Sequence, residues 1–224
     1  MKKIERELVR RLQPVFLELG FKLMAKRGCF VRPTSYGFDE FLWTSVPTVV
    51  DGSRLKLGIV VGLRHDVVDD LVNRLDLIYG DDNRRYTTTL TSPFCLFPPS
   101  NKRTYEKSIR EDAQEPELVR VADEILEIMS VDAQTFYAKY KSLEACEAGL
   151  NTPVEVISHP LFNNFEKRMY YGVACAWIVD RPDFNELVTR YRTYGPIALK
   201  AAWSKSEQRL DKLIGILKTE EIRR

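Results

Sequence analysis

Hydrophobic residues at the beginning of the chain recur every three to four positions, which is the spacing of an amphipathic α-helix. The residues in this pattern are Ile4, Leu8, Leu12, Phe16 and Leu19. They predict a helix over residues 2–19, and Pro14 inside it predicts a kink. Gly20 is expected to end the helix because glycine accepts a positive φ, and Phe21 is expected to pack back onto the last turn.

Between Phe30 and Leu63 the hydrophobic period changes to two, the spacing of strands in a half-exposed antiparallel sheet. Four strands are predicted, with a short helix between the third and the fourth. The strands cover about residues 21–32, with an interruption near Gly28, and about residues 37–46, 54–63 and 85–92. The helix covers about residues 66–79. The proline-containing segment 93–101 is expected to be a loop and a domain boundary.

From Pro116 onward the helical period returns. Helices are predicted over about residues 116–129, 136–150, 162–179, 182–194 and 197–217, with a linker over residues 152–160. The expected fold class is therefore α+β, with an antiparallel sheet of about four strands packed by the N-terminal helix and a helical C-terminal half. We expect an α+β module over residues 1–150 and a helical extension over residues 151–224 that packs on it as one unit.

The amino-acid composition and net charge make some classes of function less favourable than others. Of the 224 residues, 44% are hydrophobic and 29% are charged, and the formal net charge is only +2. A balance this close to neutral disfavours a dedicated nucleic-acid-binding protein. Residues 181–224 nevertheless carry ten basic and six acidic residues, a local balance of +4. Contact with RNA or DNA through these basic helices is the weaker alternative that remains.

The chain shows no pattern of membrane insertion or secretion. No segment approaches the ~18 consecutive apolar residues that span a bilayer. Lys2 and Lys3 begin a charged helix and are not followed by the apolar stretch of a signal peptide. The four cysteines are widely spaced and form no CxxC pair: Cys29, Cys95, Cys146 and Cys175. They are expected to be free thiols, so the expected location is a reducing cytoplasm.

A histidine followed by three aspartates is the one cluster that suggests metal chemistry. His65 and Asp69 are four residues apart, next to Asp66 and Asp70. Such a set can ligate a metal ion and activate water for hydrolysis. Only one other histidine, His159, is available as a further ligand. The favoured interpretation is that Asp66 caps the following helix or interacts with its dipole.

Common catalytic motifs are absent from the sequence. It contains no GxxxxGK, GxGxxG, GxSxG or HExxH pattern. A cysteine could act as a nucleophile with His65 or His159 as its base, but no flanking motif supports that pairing. We therefore predict no catalytic residue, no cofactor and no metal ligand, and an enzyme is the less favoured class.

The helices of the C-terminal half carry arginine and tyrosine residues that are typical of protein interfaces. The candidates for a protein-binding surface are Arg168, Tyr171, Arg190, Tyr191 and Tyr194. Burial in the core explains the same helical spacing and is the competing interpretation.

Four segments resemble a family of bacterial proteins known as the domain of unknown function 4304. They are residues 12–22 (LQPVFLELGFK), 30–32 (FVR), 57–63 (LGIVVGL) and 136–144 (FYAKYKSLE). The resemblance covers about residues 4–150 and consists of packing residues and a helix end. It implies an α+β fold without an established activity. By analogy with similar small domains found near bacterial toxin genes, the resemblance also suggests an immunity or accessory protein.

Two hypotheses about function therefore lead. The first is a non-enzymatic cytoplasmic protein that binds a protein partner, such as a toxin. The second is an enzyme with a metal-assisted hydrolytic site near His65 and Asp69. The oligomeric state does not follow from the sequence.

Overall fold

The structure is a computed structural model. It describes residues 3–47, 54–75, 84–93, 106–110, 112–157, 159–162 and 164–219, and for residues 45–47, 93 and 106 it describes the backbone alone. The fold is α+β, as predicted, with an N-terminal helix, an antiparallel sheet and a helical C-terminal half. Three predicted features lie outside the described residues: the end of the helix predicted over 66–79, most of the loop over 93–101, and Cys95.

Six strands form one sheet within the described ranges. They are β1 (Lys22–Met24), β2 (Cys29–Pro33), β3 (Gly37–Pro47), β4 (Arg54–His65), β5 (Leu90–Pro93) and β6 (Glu106–Arg110). The order is β1-β2-β3-β4-β5, and β6 pairs with the first half of β4, where Leu55 lies opposite Ile109. The pairs β1–β2, β2–β3 and β4–β6 are antiparallel.

The helices follow the order of the predicted segments. They are α1 (Lys3–Glu18), α2 (Asp66–Val72), α3 (Glu115–Glu127), α4 (Gln134–Tyr140), α5 (Leu143–Asn151), α6 (Phe165–Ile178), α7 (Phe184–Leu199) and α8 (Trp203–Thr219). A π-helical turn (Ile128–Ala133) joins α3 to α4, and a 3₁₀ turn (Lys200–Ala202) joins α7 to α8.

The chain divides into two compact units that are discontinuous in sequence. The first contains Met1–Leu63 and Ser92–Ala138, and the second contains Arg64–Thr91 and Lys139–Arg224. This division differs from the predicted one at residue 150. The reason is that α2 contacts α6 and α8, so the segment between β4 and β5 packs with the C-terminal helices.

The first unit has an aromatic core at the end of α1. The Phe16 ring lies 4.1 Å from the Phe30 ring, 5.1 Å from the Phe41 ring and 5.9 Å from the Phe21 ring, centroid to centroid. Gly20 has φ +82°, and the Phe21 amide donates to the Phe16 carbonyl at 2.8 Å. The predicted glycine stop and the packing of Phe21 are thereby confirmed.

Several predicted elements have different bounds. The strand predicted over 21–32 is a hairpin of two short strands, because Gly28, with φ +64°, allows the chain to turn. The strand predicted over 85–92 begins only at Leu90, and β6 was not predicted. A break predicted at Gly195–Pro196 is also absent. Pro196 is exposed in the last turn of α7, where a carbonyl that loses its helical donor is close to water.

Candidate functional site

The predicted metal-site residues lie in the second unit, where β4 leads into α2. Asp69 is fully buried in the first turns of α2. Its carboxylate accepts a hydrogen bond from the Tyr171 hydroxyl at 3.0 Å and from the Thr89 hydroxyl at 2.5 Å. The Arg64 guanidinium lies 3.6 Å from the same carboxylate. Both carboxylate oxygens therefore have donors, as buried carboxylates require.

Arg64 organises this polar cluster from the end of β4, and it is almost completely buried. Its guanidinium donates to Asp66 at 2.5 Å and to Asp70 at 2.6 Å. It also donates to the Arg84 carbonyl at 3.1 Å and to the Thr87 hydroxyl at 3.0 Å. Because its donors are distributed over α2 and the segment before β5, Arg64 joins these two pieces of backbone.

His65 contributes both its backbone amide and its side chain to the hydrogen bonds around this cluster. Its amide donates to the Thr89 hydroxyl at 2.7 Å, and its Nε2 donates to the Tyr140 carbonyl at 3.2 Å. It is the N-cap residue of α2 but provides no side-chain cap, and Asp66 lies in the first helical turn, where a negative charge favours the helix dipole. Within the described ranges, no three His, Cys, Asp or Glu side chains are grouped closely enough to hold a metal ion.

Burial controls the electrostatics of this cluster. It raises the pKa of the Asp69 carboxyl to about 6, while Arg64 and the hydroxyl donors oppose the rise. Burial also raises the pKa of the Tyr171 hydroxyl well above its ordinary value, and the neighbouring Asp69 charge adds to that effect. Burial outweighs the donors, so the site favours the protonated carboxyl more than water does, and neither oxygen is free for substrate.

The cysteines of the second unit are unsuited to nucleophilic chemistry. Cys146 and Cys175 are free and buried. Burial raises the pKa of both thiols, and the Cys146 thiol donates to the Tyr140 carbonyl at 3.1 Å. A thiol in such surroundings stays protonated and unreactive at neutral pH.

Three of the five predicted protein-binding residues are in the interior of the second unit: Arg168, Tyr171 and Tyr191. Arg168 donates to the Val154 carbonyl at 2.6 Å, and the Tyr191 hydroxyl donates to the Asn151 side chain at 2.7 Å. Burial in the core, the competing interpretation of the sequence, therefore accounts for these three. Their side chains fall on the inward faces of α6 and α7 and have polar partners there.

Arg190 and Tyr194 remain at the surface of α7. Arg190 is half-exposed and pairs with Glu155 at 2.7 Å. Tyr194 is half-buried, and its hydroxyl forms no hydrogen bond within the described part of the chain. These two residues stay candidates for contact with a partner.

From Tyr194 onward, the end of α7 and the 3₁₀ turn before α8 carry exposed apolar residues. We name this segment, residues 194–205, the α7–α8 corner. Ile197 is 59% exposed, the highest value among the large apolar residues that the structure describes. The other exposed members are Pro196, Lys200, Ala201, Ala202, Ser204 and Lys205. Tyr194 and Trp203 are half-buried at its two ends.

The corner is fixed by close packing. A Cβ atom on Gly195 would lie 1.9 Å from the Trp203 ring, so the indole rests directly against the α7 backbone. Lys200 turns the chain with φ +49° and ψ −122°, a conformation that non-glycine residues rarely adopt. Sequence reasoning missed this surface because period alone cannot tell which apolar residues at a helix junction are exposed. The dipeptide Gly195–Pro196 was the available signal.

A groove with a volume of about 680 Å³ lies in the first unit. It lies between the beginnings of α1 and α3. Its walls carry the cations Lys3, Arg6 and Arg10 and the acids Glu7, Asp112 and Glu115. Since Arg10 pairs with Glu7 at 2.6 Å and Arg11 pairs with Glu115, the charges largely compensate one another and select no ligand class.

No protein-family model matches the chain, and no match was found among curated proteins or solved structures. The resemblance to the domain of unknown function 4304 stays a prediction. In the part of the chain that the structure covers, no helix is both long and apolar enough to cross a membrane.

Proposed function

We propose that this protein is a non-enzymatic binding protein that contacts a protein partner through the α7–α8 corner. The observation that carries the proposal is the exposure of Ile197 in a chain segment that also carries the half-buried aromatic residues Tyr194 and Trp203. Apolar and aromatic side chains that remain exposed together are typical of interaction surfaces. Of the residues predicted from the sequence to bind a partner, the proposal retains Tyr194. It assigns the contact to the α7–α8 corner and not to the buried Arg168, Tyr171 and Tyr191.

The two helices that carry the corner are well anchored. The residues that bury their inner faces are Leu187, Tyr191, Leu210, Leu213 and Leu217. A surface supported in this way loses little conformational entropy when a partner binds. The firm packing of α7 and α8 therefore supports a recognition role for the side chains of the corner that joins them.

The finer proposal is an immunity or accessory protein of a bacterial toxin system that acts in the cytoplasm. It rests on the family resemblance of residues 4–150 and on the free, buried thiols. The metal-assisted hydrolytic alternative has no supporting observation, because the oxygens of Asp69 accept from Tyr171 and Thr89.

A photo-crosslinking experiment tests the proposal. A photoreactive phenylalanine analogue is placed at position 197 of the tagged full-length chain, in cells of the native host. The matched control carries the same analogue at Val131, which is 55% exposed and lies in the first unit. We expect one protein to be crosslinked from position 197 and not from position 131. A partner that co-purifies in stoichiometric amount but is never crosslinked from position 197 would refute this location.

A further inference from the structure

We propose that the partner presents an acidic segment with apolar side chains to the α7–α8 corner. This inference rests on the proposed function and adds the chemistry of the partner to it. Its basis is the charge that surrounds Ile197.

The corner itself contains no acidic residue, and the first acid that follows it is the half-exposed Glu207 of α8. Residues 187–206 contain the cations Arg190, Arg192, Lys200 and Lys205, and no Asp or Glu. Arg190 is paired with Glu155, and Arg192 is paired with Asp211 at 2.6 Å.

The two lysines of the corner differ from the two arginines. Lys200 and Lys205 are exposed, and neither forms an ion pair within the ranges that the structure describes. Two uncompensated positive charges therefore flank the apolar surface, one near each end of the turn. Complementary charge around an apolar centre is the usual arrangement of a specific interface.

The backbone at Lys200 adds support. With φ +49°, this position would be less strained with glycine, which has no Cβ. Strain of this kind is commonly found where a side chain has a function. The lysine places a charge at the tip of the turn that glycine would not provide.

A narrow protein segment fits this charge pattern better than a lipid surface. Anionic lipid surfaces are typically recognised by clusters of about four to eight Lys or Arg residues, whereas the corner has two cations without an ion pair in the described ranges. A peptide segment can contact the corner alone. Nucleic acid is disfavoured because phosphate backbones bind through several unpaired cations, whereas the corner has two.

The test begins with selection from a random peptide display library on the immobilised full-length protein, with counter-selection on the Ile197→Asp variant. We expect the enriched peptides to combine Asp or Glu with Leu, Ile or Phe. The affinity of one enriched peptide is then measured by fluorescence anisotropy. For the double variant Lys200→Glu/Lys205→Glu we expect a loss of about tenfold or more, as for charge pairs that contribute to binding.

The matched control is Lys141→Glu/Lys218→Glu, which changes the net charge equally at exposed positions of the second unit outside the corner. We expect its affinity to stay within about twofold of the unchanged protein, because exposed charges far apart are screened. Thermal unfolding of both double variants shows whether they remain folded.

The outcomes separate the two proposals. If the enriched peptides depend on Ile197 but are neutral or basic, the acidic partner is refuted while the binding function stands. If no enrichment depends on Ile197 and position 197 crosslinks no protein, both are refuted. Sedimentation with phosphatidylserine-containing vesicles that is lost in Lys200→Glu/Lys205→Glu would overturn the choice of a protein segment.

Discussion

Tyr191 and Tyr194 lie one helical turn apart on α7, yet their surroundings differ completely. Tyr191 is fully buried and donates to Asn151, whereas Tyr194 is half-exposed at the edge of the α7–α8 corner. The buried side chains of Tyr191, Arg168 and Tyr171 all form hydrogen bonds within the second unit. In the corner, the side chains of Tyr194, Lys200 and Lys205 form no hydrogen bond or ion pair with the described residues. Side chains that are typical of interfaces therefore stabilise the interior here, whereas at the surface they are available for the recognition role that we propose.

The largest expected effect concerns the interior. Asp69→Ala removes the acceptor of Tyr171 and Thr89 and leaves Arg64 next to an apolar methyl group. Loss of one partner from a buried charge network lowers the free energy of unfolding by about 3–5 kcal/mol. Urea denaturation measures this value. The control Asp70→Ala removes an exposed partner of Arg64 and should change stability by less than about 1 kcal/mol. Equal effects of the two variants would contradict a structural role for the buried carboxyl.

The pH dependence of stability should report the same carboxyl. Its pKa is raised from 3.8 to about 6 by burial, so the folded state binds the proton more tightly than the unfolded state. The protein should therefore lose about 3 kcal/mol of stability as the pH rises from about 4 to about 6, and the loss should level off above that range. The Asp69→Asn variant should lack this pH-dependent change in stability, because an amide does not titrate in this range. The measurement is the difference between urea unfolding free energies of the two proteins across pH 4–8. A difference that does not change with pH would contradict the raised pKa.

Two glycines on the C-terminal helices should respond to alanine with opposite signs. At Gly195 the new methyl group meets the Trp203 ring, and overpacking of this kind lowers stability by about 1–3 kcal/mol. At Gly215, within α8, nothing lies within 4 Å, and alanine should raise stability by up to about 1 kcal/mol. Thermal unfolding gives the sign, and a red shift of tryptophan emission in Gly195→Ala would report displacement of Trp203. Stabilisation by both substitutions would mean that the indole does not rest on Gly195.

The same substitution at the two tyrosines of α7 separates the interior from the corner directly. Tyr191→Phe loses the hydrogen bond to Asn151 and should lower the free energy of unfolding by about 1–2 kcal/mol. Tyr194→Phe loses no hydrogen bond within the described chain and should change it by less than about 0.5 kcal/mol. Urea denaturation of both variants tests the pair. Indistinguishable stabilities would remove the distinction on which the two roles depend.

A small gain in stability is expected at Lys200, where glycine would relieve the positive φ. Lys200→Gly should raise the free energy of unfolding by about 1 kcal/mol. The same variant should weaken binding of the partner, since it removes one of the two unpaired charges. Thermal unfolding and anisotropy measure these two effects. A variant that is more stable and binds equally well would show that the lysine is not needed for recognition.

Much of the fold follows from local periodicity. The alternation in β4 and the helical spacing in α1 and α3 predicted these elements within a few residues. β6 was missed because five residues with the pattern EKSIR contain too little hydrophobic signal. The discontinuous units were also missed, because contact of α2 with α6 depends on tertiary packing that spacing does not encode.

The candidate site was only partly predictable. Arginine and tyrosine on α6 and α7 are compatible with either burial or exposure, and the interior bonds of Arg168 and Tyr171 depend on residues distant in sequence. The corner requires knowledge that α7 continues through Pro196 and that Trp203 folds against Gly195.

The most direct test of the central claim compares Ile197→Asp with Tyr191→Phe in the same cells. Partner recovery is measured by quantitative affinity purification, and stability is measured by thermal unfolding of the purified variants. We predict that Ile197→Asp abolishes partner recovery with an unchanged melting temperature. Tyr191→Phe should lower the melting temperature and leave recovery unchanged. Full recovery of the partner by a folded Ile197→Asp variant would contradict the assignment of recognition to the α7–α8 corner.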